Sequence, residues 1–329
     1  MIPRDIRWRG ILYPRLSVLL HRGYASARLT RQEKIDGSNH LSRSKLHQLD
    51  TKFNLFNENV TKMVDLGYSP GNWLIYAREA LSRIHEIEPE KIYQKCTLVG
   101  LDIIIGNHPA GTFTTQGNIL SKLAHRNVIS LLKEHAYKRL VVQNGLLDDL
   151  LPEQDAKDPT FESEMARISD IFDDLSLKDK TLESILSLQD YQADLITSDL
   201  SSAFLQDKGF FNNTTTRPFI RSSTNSELRR NVTDPLKASI DTAEAALLLC
   251  CEALAKGGNF VIRLARIDLA DPEIDLLEER LKRVFKHVQR WKPEGSTKSN
   301  FSVISELYFV CKDKQDHLAD KYNVFDVKR

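Results

Sequence analysis

Short apolar runs alternate with amphipathic segments along most of the chain. The apolar runs predict strands at residues 62–67, 97–102, 111–115, 193–198, 259–264 and 306–311. Between them, apolar residues recur at helical spacing and predict helices at residues 73–83, 119–138, 239–255 and 276–285. Strands that are apolar throughout and separated by helices are typical of a parallel sheet covered on both faces. The pattern therefore predicts a doubly wound α/β fold with a mostly parallel sheet.

A sheet of this kind binds ligands at the carboxyl ends of its strands, beside the point where the strand order reverses. Residues at or near those ends are therefore candidates for the chemistry of the protein. They are Asp65, Asp102, Thr115, Ser198 and Arg263.

The loop after the first predicted strand reads Asp-Leu-Gly-Tyr-Ser-Pro-Gly-Asn-Trp over residues 65–73. Gly67 and Gly71 allow a tight turn and close approach of a ligand, the proline between them fixes the turn, and the next helix presents its N-terminal amides. A nicotinamide dinucleotide site would have the pattern G-x-G-x-x-G, whereas this loop has G-x-x-x-G. With Asp102 placed to bind ribose hydroxyls and Asp65 near the aminocarboxypropyl end, the loop favours S-adenosylmethionine. An ordinary strand–turn–helix corner is the alternative.

The composition limits the class of protein. Of 329 residues, 41% are apolar and 28% are charged, which suits one large domain or two modest ones. The net charge of +1 excludes a grossly basic nucleic-acid-coating protein and a grossly acidic disordered one. No apolar run reaches the roughly 20 residues that cross a bilayer. The four cysteines lack CxxC spacing, so neither a zinc site nor a disulfide framework is expected.

The N-terminal segment has the composition of a mitochondrial transit peptide. The first 34 residues contain eight basic side chains against two acidic ones, interleaved with apolar residues that can form an amphipathic helix. We expect a transit peptide at residues 1–30, with a processing point after Tyr24, and a mature domain at residues 31–329 in the mitochondrial matrix. An RNA-binding arm or a tail that is retained is the alternative.

A second unusual segment lies at residues 148–183, where twelve acidic side chains face four basic ones, a net charge of −8. Such a segment can build little core, so we expect an acidic insertion at about 145–190. The first 34 residues carry +6, which leaves +3 for the rest of the chain. A mildly basic body permits RNA binding without requiring it.

Several segments, in chain order, resemble the FtsJ/RrmJ-like ribose 2′-O-methyltransferases. Residues 65–73 resemble the family motif D-L-G-x-A-P-G-G-W, and residues 44–53 resemble its F-K-L-x-x-I-D-x-K-[FY] helix. Further matches lie at residues 100–103 (G-V-D-[IL]), 116–118 (Q-G-D), 198–200 (S-D-M), 243–250, 257–263 and 292–308. The resemblance covers roughly residues 40–312, apart from the acidic insertion and residues 204–230. It implies a Rossmann-like methyltransferase fold.

The resemblance also implies roles for individual residues. The family's catalytic tetrad Lys-Asp-Lys-Glu corresponds here to Lys45, Asp199, Arg263 and Glu306. The residues implied to bind S-adenosylmethionine are Asp65, Gly67, Pro70, Gly71, Trp73, Asp102, Asn118 and Asp199. The basic residues that we expect to contact RNA are Arg43, Lys45, Arg217, Arg221, Arg229 and Arg230.

With its transit-like N-terminus, the chain is most similar to the family's fungal mitochondrial branch. This similarity implies methylation of a uridine ribose in mitochondrial large-subunit rRNA or a large-subunit precursor, by a monomeric enzyme.

Three positions depart from the family pattern. Arg263 replaces a lysine, and a guanidinium stays protonated in proteins, so it would orient the 2′-oxygen while Lys45 or Asp199 manages the proton. Asn72 replaces the second glycine of the loop and adds bulk where the cofactor contacts the backbone, and Asn118 replaces an acid near the adenine. Two hypotheses follow: an active rRNA 2′-O-methyltransferase, or a catalytically weak relative that binds rRNA during mitoribosome assembly. The glycine pattern disfavours a third, a nicotinamide-dependent reductase.

Overall fold

A computed structural model gives the structure of the chain at residues 30–104, 108–143, 186–200, 204–206, 219–221, 237–293 and 304–326. Residues 1–29 of the expected transit peptide and residues 145–185 of the expected acidic insertion lie outside these ranges. So do the candidate RNA contacts Arg217, Arg229 and Arg230, together with the side chain of Arg221. In the described part, no helix is long and apolar enough to span a membrane.

The described residues form nine strands, seven α-helices and one 3₁₀ helix. The strands are β1 (Lys62–Leu66), β2 (Thr97–Asp102), β3 (Phe113–Gln116), β4 (Ala193–Ser198), β5 (Phe204–Gln206), β6 (Phe219–Arg221), β7 (Leu254–Asp268), β8 (Phe285–Trp291) and β9 (Ile304–Lys314). The α-helices are α1 (Arg31–Phe53), α2 (Asn72–Ile84), α3 (Lys122–Gln143), α4 (Leu188–Tyr191), α5 (Ala238–Ala253), α6 (Pro272–Val284) and α7 (Lys321–Val324). The 3₁₀ helix is Pro89–Gln94.

Seven strands form one sheet in the order β3-β2-β1-β4-β7-β9-β8. Neighbouring strands from β3 to β7 are parallel, and β9 is antiparallel to both β7 and β8. The chain leaves β1 toward β2 and β3 and then returns to place β4 on the other side of β1. The strand order therefore reverses between β1 and β4, where a doubly wound sheet binds its ligands. The predicted mostly parallel α/β fold is confirmed.

Helices cover both faces of the sheet because side chains of successive strand residues point to opposite faces. On β1, Met63 packs in a core cluster with α1 and α2, and Val64 packs in a second cluster with α3, α5 and α6. Both side chains are fully buried. The central strands β1, β2 and β4 are buried along most of their length because each is covered on both faces.

The largest difference from the sequence-based elements lies at β8. A helix was predicted to end at Phe285, whereas α6 ends at Val284 and Phe285 begins a strand. Of the seven residues of β8, only Phe285 and Trp291 are buried, so the strand lacks the apolar run that marks the central strands. An edge strand next to solvent needs no such run.

Candidate active site

The sheet brings the candidate residues to one end. Asp65 and Asp102 lie at the carboxyl ends of β1 and β2, Asp199 directly follows β4, and Arg263 lies in β7. Glu306 lies near the beginning of β9, and this strand is antiparallel to β7. Its beginning therefore lies at the same end of the sheet as the carboxyl ends of the parallel strands.

Lys45, Asp199, Arg263 and Glu306 form a continuous set of ion pairs, called here the ion cluster. The ammonium of Lys45 lies 2.8 and 2.7 Å from the two carboxylate oxygens of Glu306. The Nε of Arg263 donates to Oε1 of Glu306 at 2.6 Å, and its Nη1 donates to Oδ1 of Asp199. The cluster thus contains two cations and two carboxylates, and its formal charges balance.

The surroundings keep Arg263 and Glu306 ionised. Burial by itself would lower the pKa of Arg263, but the carboxylates of Asp199 and Glu306 raise it above its ordinary value. Burial would raise the pKa of Glu306, but Arg263 and Lys45 lower it overall. Tyr308, which is fully buried, donates its hydroxyl to Oε1 of Glu306 at 2.8 Å. Arg263 therefore acts as a fixed cation in this site and cannot take up a proton.

The loop after β1 packs directly against the end of β4. Gly67 has φ +85°, and a Cβ added there would lie 3.0–3.1 Å from backbone atoms of Asp199 and Leu200. Its amide donates to the carbonyl of Leu101 at 2.8 Å, and the amide of Asp199 donates to the carbonyl of Leu66 at 2.9 Å. Any side chain at position 67 would displace Asp199, a member of the ion cluster. Glycine is required there for close packing as well as for conformation.

Asp102 ties the same loop to the end of β2. One of its carboxylate oxygens accepts the amide of Ser69 and the other accepts the amide of Ile104, both at 3.0 Å. Burial raises the pKa of Asp102 above its ordinary value, and these backbone hydrogen bonds oppose that rise. The amide of Gly117 donates to the carbonyl of Asp102 at 2.9 Å, which brings the loop after β3 to the same place.

Asn118 lies in the loop after β3 and Trp73 at the beginning of α2, and both side chains are buried. The side-chain oxygen of Asn118 accepts the amide of Leu120 at 3.1 Å, which shapes the approach to α3. Trp73 lies in the first turn of α2, and its indole nitrogen is buried without a hydrogen-bond partner. Pro70 and Gly71 complete the turn, and Gly71 has φ +105° immediately before α2.

Asp65 differs from the carboxylates of the ion cluster because no cation in the described part of the chain pairs with it. It is fully buried, and its Oδ1 accepts the hydroxyl of Thr197 at 2.8 Å. Burial raises its pKa to about 8, and the neighbouring Asp199 and Asp102 contribute in the same direction. Its Oδ2 has no hydrogen-bond partner. At neutral pH Asp65 therefore carries a proton.

The side chain of Asn72 contacts α1. Its Nδ2 donates to Oδ1 of Asn39 at 2.8 Å, and its Oδ1 accepts from Nε of Arg43 at 3.5 Å. The sequence indicated only added bulk beside the cofactor at this position. The structure shows that the amide connects two helices.

Two residues of the site were missed from the sequence. Tyr308 lies two positions after Glu306 in a strand, so both side chains are on the same face, and that spacing could have identified it. Thr197 is aligned with Asp65 in the β1–β4 register. Nothing in the sequence indicated this pairing, because the two residues lie far apart along the chain.

Comparison with known proteins identifies the family of the chain. A family model described as FtsJ-like methyltransferase matches residues 41–314. The protein named "rRNA methyltransferase 2, mitochondrial" of Saccharomyces cerevisiae is 28% identical over 304 residues, which cover 90% of this chain and 87% of that protein. A provisionally named ribosomal RNA methyltransferase of Schizosaccharomyces pombe is 27% identical over 255 residues, covering 77% of this chain and 71% of that protein.

Among solved structures, a provisionally named ribosomal RNA methyltransferase of Plasmodium falciparum is 17% identical, with a TM-score of 0.44. The match covers 84% of this chain and 97% of that chain. Since the family model spans most of the sequence, the chain belongs to the FtsJ-like methyltransferase family.

Proposed function

We propose that this protein uses S-adenosylmethionine to methylate the ribose 2′-oxygen of a uridine in mitochondrial large-subunit rRNA. The observation that carries the proposal is the ion cluster, which joins four family-matched residues at the ligand-binding end of the sheet. Asp199, a member of the ion cluster, also packs on Gly67 in the loop after β1. The catalytic and cofactor regions are therefore contiguous. Residues 31–329 would form the methyltransferase domain.

The residues around the loop fit S-adenosylmethionine, which supplies a methyl group on a cationic sulfonium. Gly67 allows the loop after β1 to pack directly on the backbone of Asp199, which brings the loop and the ion cluster together. The carboxylate of Asp102 accepts backbone amides, among them those of Ser69 and Ile104, and its remaining lone pair would accept a ribose hydroxyl. The unpartnered Oδ2 of Asp65 would accept from the ammonium of the aminocarboxypropyl group once that cation has displaced the proton of the carboxyl group. Asn118 and Trp73 would border the adenine and the loop.

The ion cluster can perform the work that methyl transfer to a hydroxyl requires. The 2′-oxygen must be held in line with the methyl group and must lose its proton as the new bond forms. Arg263 holds Asp199 and Glu306 in fixed positions and places a permanent positive charge beside the oxygen. Asp199 is then the residue available to accept the proton, directly or through water, and Lys45 could do so only after releasing its own proton.

The arginine at position 263 also motivated the alternative of an inactive rRNA-binding assembly factor. In the structure Arg263 contacts both carboxylates of the cluster, so the arginine is accommodated with its charge paired. This pairing supports the enzyme over the inactive relative. The substrate and the mitochondrial location are supported by the names of the relatives, which are rRNA methyltransferases, one of them mitochondrial.

The test is a map of ribose methylation in mitochondrial large-subunit rRNA from cells with and without the protein. We expect one uridine 2′-O-methyl group to disappear without the protein. It should return with wild type and stay absent with Asp199→Asn. A methylation map unchanged by loss of the protein would overturn the proposed activity.

A further inference from the structure

Helix α1 carries Lys45, and its two halves are held in different ways. The second half buries Leu46, Leu49 and Phe53 in the core cluster that includes α2. Between residues 30 and 45, none of the side chains that the structure describes is buried. Apolar packing therefore fixes α1 after Lys45, while polar contacts must fix it before Lys45.

The first residue of α2 supplies such contacts. Asn72 is only 7% exposed, and its amide donates to Asn39 and accepts from Arg43, both in the first half of α1. Asn39 and Arg43 are one helical turn apart, so a single side chain of α2 contacts two successive turns of α1.

One turn further along α2, Tyr76 contacts α1 on the other side of Lys45. Its hydroxyl donates to Oδ2 of Asp50 at 2.9 Å and lies 3.2 Å from Nδ1 of His47. Asp50 is itself fixed, because its Oδ1 accepts the amide of Phe56 at 3.0 Å. Since residues four apart share one face of a helix, Asn72 and Tyr76 form a two-point polar contact that brackets Lys45.

We infer that Asn72 is a positioning residue, which holds the first half of α1 so that Lys45 stays in register with Glu306. The inference rests on the proposed function and deepens it. Asn72 directly follows Gly71 in the loop after β1, which is proposed to bind the cofactor. The contacts of Asn72 therefore connect that loop to α1, the helix that carries Lys45. The family motif has glycine at this position, and glycine has no side chain that could make the connection. In this chain the departure from the motif therefore serves the site.

The expected kinetic effect separates turnover from cofactor binding. Asn72→Ala and Asn72→Gly should lower kcat by about 10- to 100-fold, as expected when a reacting group is displaced by a fraction of an ångström to 1 Å. The dissociation constant of S-adenosylhomocysteine should change by no more than about twofold, because the loop backbone and the carboxylates are retained. The motif-like Asn72→Gly should thus be slower than wild type.

The test combines kinetics with hydrogen exchange on the full chain. Asn72→Ala should speed amide exchange in residues 31–45 and leave residues 46–53 protected, since their apolar contacts remain. Asn39→Ala removes the partner on α1 without touching the loop and should give the same two effects. If the contact between Asn39 and Asn72 is the cause, the double variant should be no slower than either single variant. Glu79→Ala, at an exposed position on α2, is the matched control and should behave as wild type.

The outcomes distinguish this inference from the proposed function. Unchanged exchange in residues 31–45 of Asn72→Ala, or an Asn72→Gly enzyme as fast as wild type, would overturn the positioning role and leave the methyltransferase intact. A wild-type protein that neither binds S-adenosylhomocysteine nor methylates rRNA would overturn the proposed function, while the exchange measurement would still report on the contact.

Discussion

The two ends of the sheet each hold a buried or partly buried cation, and they neutralise it differently. Strand β9 connects them, since it begins near Glu306 at the candidate active site and ends with Lys314 at the opposite end. In the ion cluster, Arg263 is paired with the carboxylates of Asp199 and Glu306. At the opposite end, only 1% of Lys314 is exposed, and its ammonium donates to backbone carbonyls at 2.6–3.0 Å. The four carbonyls, which share the three N–H donors of the ammonium, belong to Cys250, Cys251, Leu254 and His317.

The difference affects both charge and role. Carboxylates raise the pKa of Arg263 despite burial, whereas burial lowers the pKa of Lys314 to about 8. The carbonyls of Cys250, Cys251 and Leu254 belong to the last turn and end of α5, where a helix needs donors and favours a cation. In the proposed function the pairing in the ion cluster fixes a charge for the reaction, whereas Lys314 completes the backbone hydrogen bonding at the end of α5. Substitutions in the ion cluster should change the rate of methyl transfer, and substitution of Lys314 should change the free energy of unfolding.

The largest expected effect is on the rate of Arg263→Ala. This variant removes the cation between Asp199 and Glu306 and leaves the cluster with an excess of negative charge. Methyl transfer to native rRNA should slow by about 10²–10⁴-fold, the range for loss of a positioned electrostatic group. Asp199→Ala should be at least as damaging, because that residue contacts both Arg263 and the cofactor loop. Single-turnover rates with labelled S-adenosylmethionine measure both, and full methylation by Arg263→Ala would show that the active site has been misplaced.

The second prediction concerns Lys314→Met, which removes the ammonium that donates to the carbonyls at the end of α5. The methionine fills a similar volume but leaves buried carbonyls at the end of α5 without their donor. The free energy of unfolding should fall by about 2–4 kcal/mol. The rate per folded molecule should be retained. Urea unfolding followed by circular dichroism measures the loss. Lys286→Met, at an exposed position on the neighbouring strand β8, should stay within about 0.5 kcal/mol of wild type.

The third prediction concerns Asp65, whose buried carboxyl group pairs with no cation in the described part of the chain. The pKa of Asp65 is about 8 in the folded protein and near 3.8 when the side chain is exposed. At pH values between these two, the folded state keeps a proton that the unfolded state has lost. Stability should therefore fall as the pH rises through this window. Asn does not titrate, so Asp65→Asn lacks this pH dependence. Between pH 6 and pH 7, the free energy of unfolding of wild type should fall by about 1 kcal/mol relative to that of Asp65→Asn.

Urea unfolding at the two pH values measures the third effect. Glu58→Gln, which changes an exposed carboxyl in the same way, controls for the loss of one acid from the chain. An identical pH dependence in Asp65→Asn and wild type would mean that Asp65 is ionised in the folded protein.

The fold was predictable from the sequence where burial is complete. The segment 193–198 was predicted as a strand with the bounds of β4, because a strand buried on both faces has an apolar centre, here Leu195 and Ile196. Strand β8 was missed because charged and polar residues occupy most of it, and its position depends on pairing with β9. Local pattern contains no information about such a pairing.

The candidate site was predictable as a set of residues but not as a set of contacts. The motifs place Lys45 and Glu306 in one site, although 261 positions separate them. They do not indicate that Asn72 contacts Asn39 or that Asp65 lacks a cation. Both depend on how helices and strands distant in sequence pack together.

The smallest effect is expected for Arg263→Lys, which tests whether the cation between Asp199 and Glu306 must be an arginine. Arg263→Lys keeps a positive charge between Asp199 and Glu306 but replaces a planar group that contacts both carboxylates with a single ammonium. If Arg263 serves to orient the hydroxyl and the proton leaves late, a lysine can do the same and can also accept a proton. The rate should then be preserved or modestly raised, and the pH dependence should shift toward that of a titrating base. A loss as large as that of Arg263→Ala would instead mean that the two-carboxylate contact of the guanidinium is what the reaction requires. The pH–rate profiles of wild type and Arg263→Lys on the same rRNA, compared above and below neutrality, separate these outcomes.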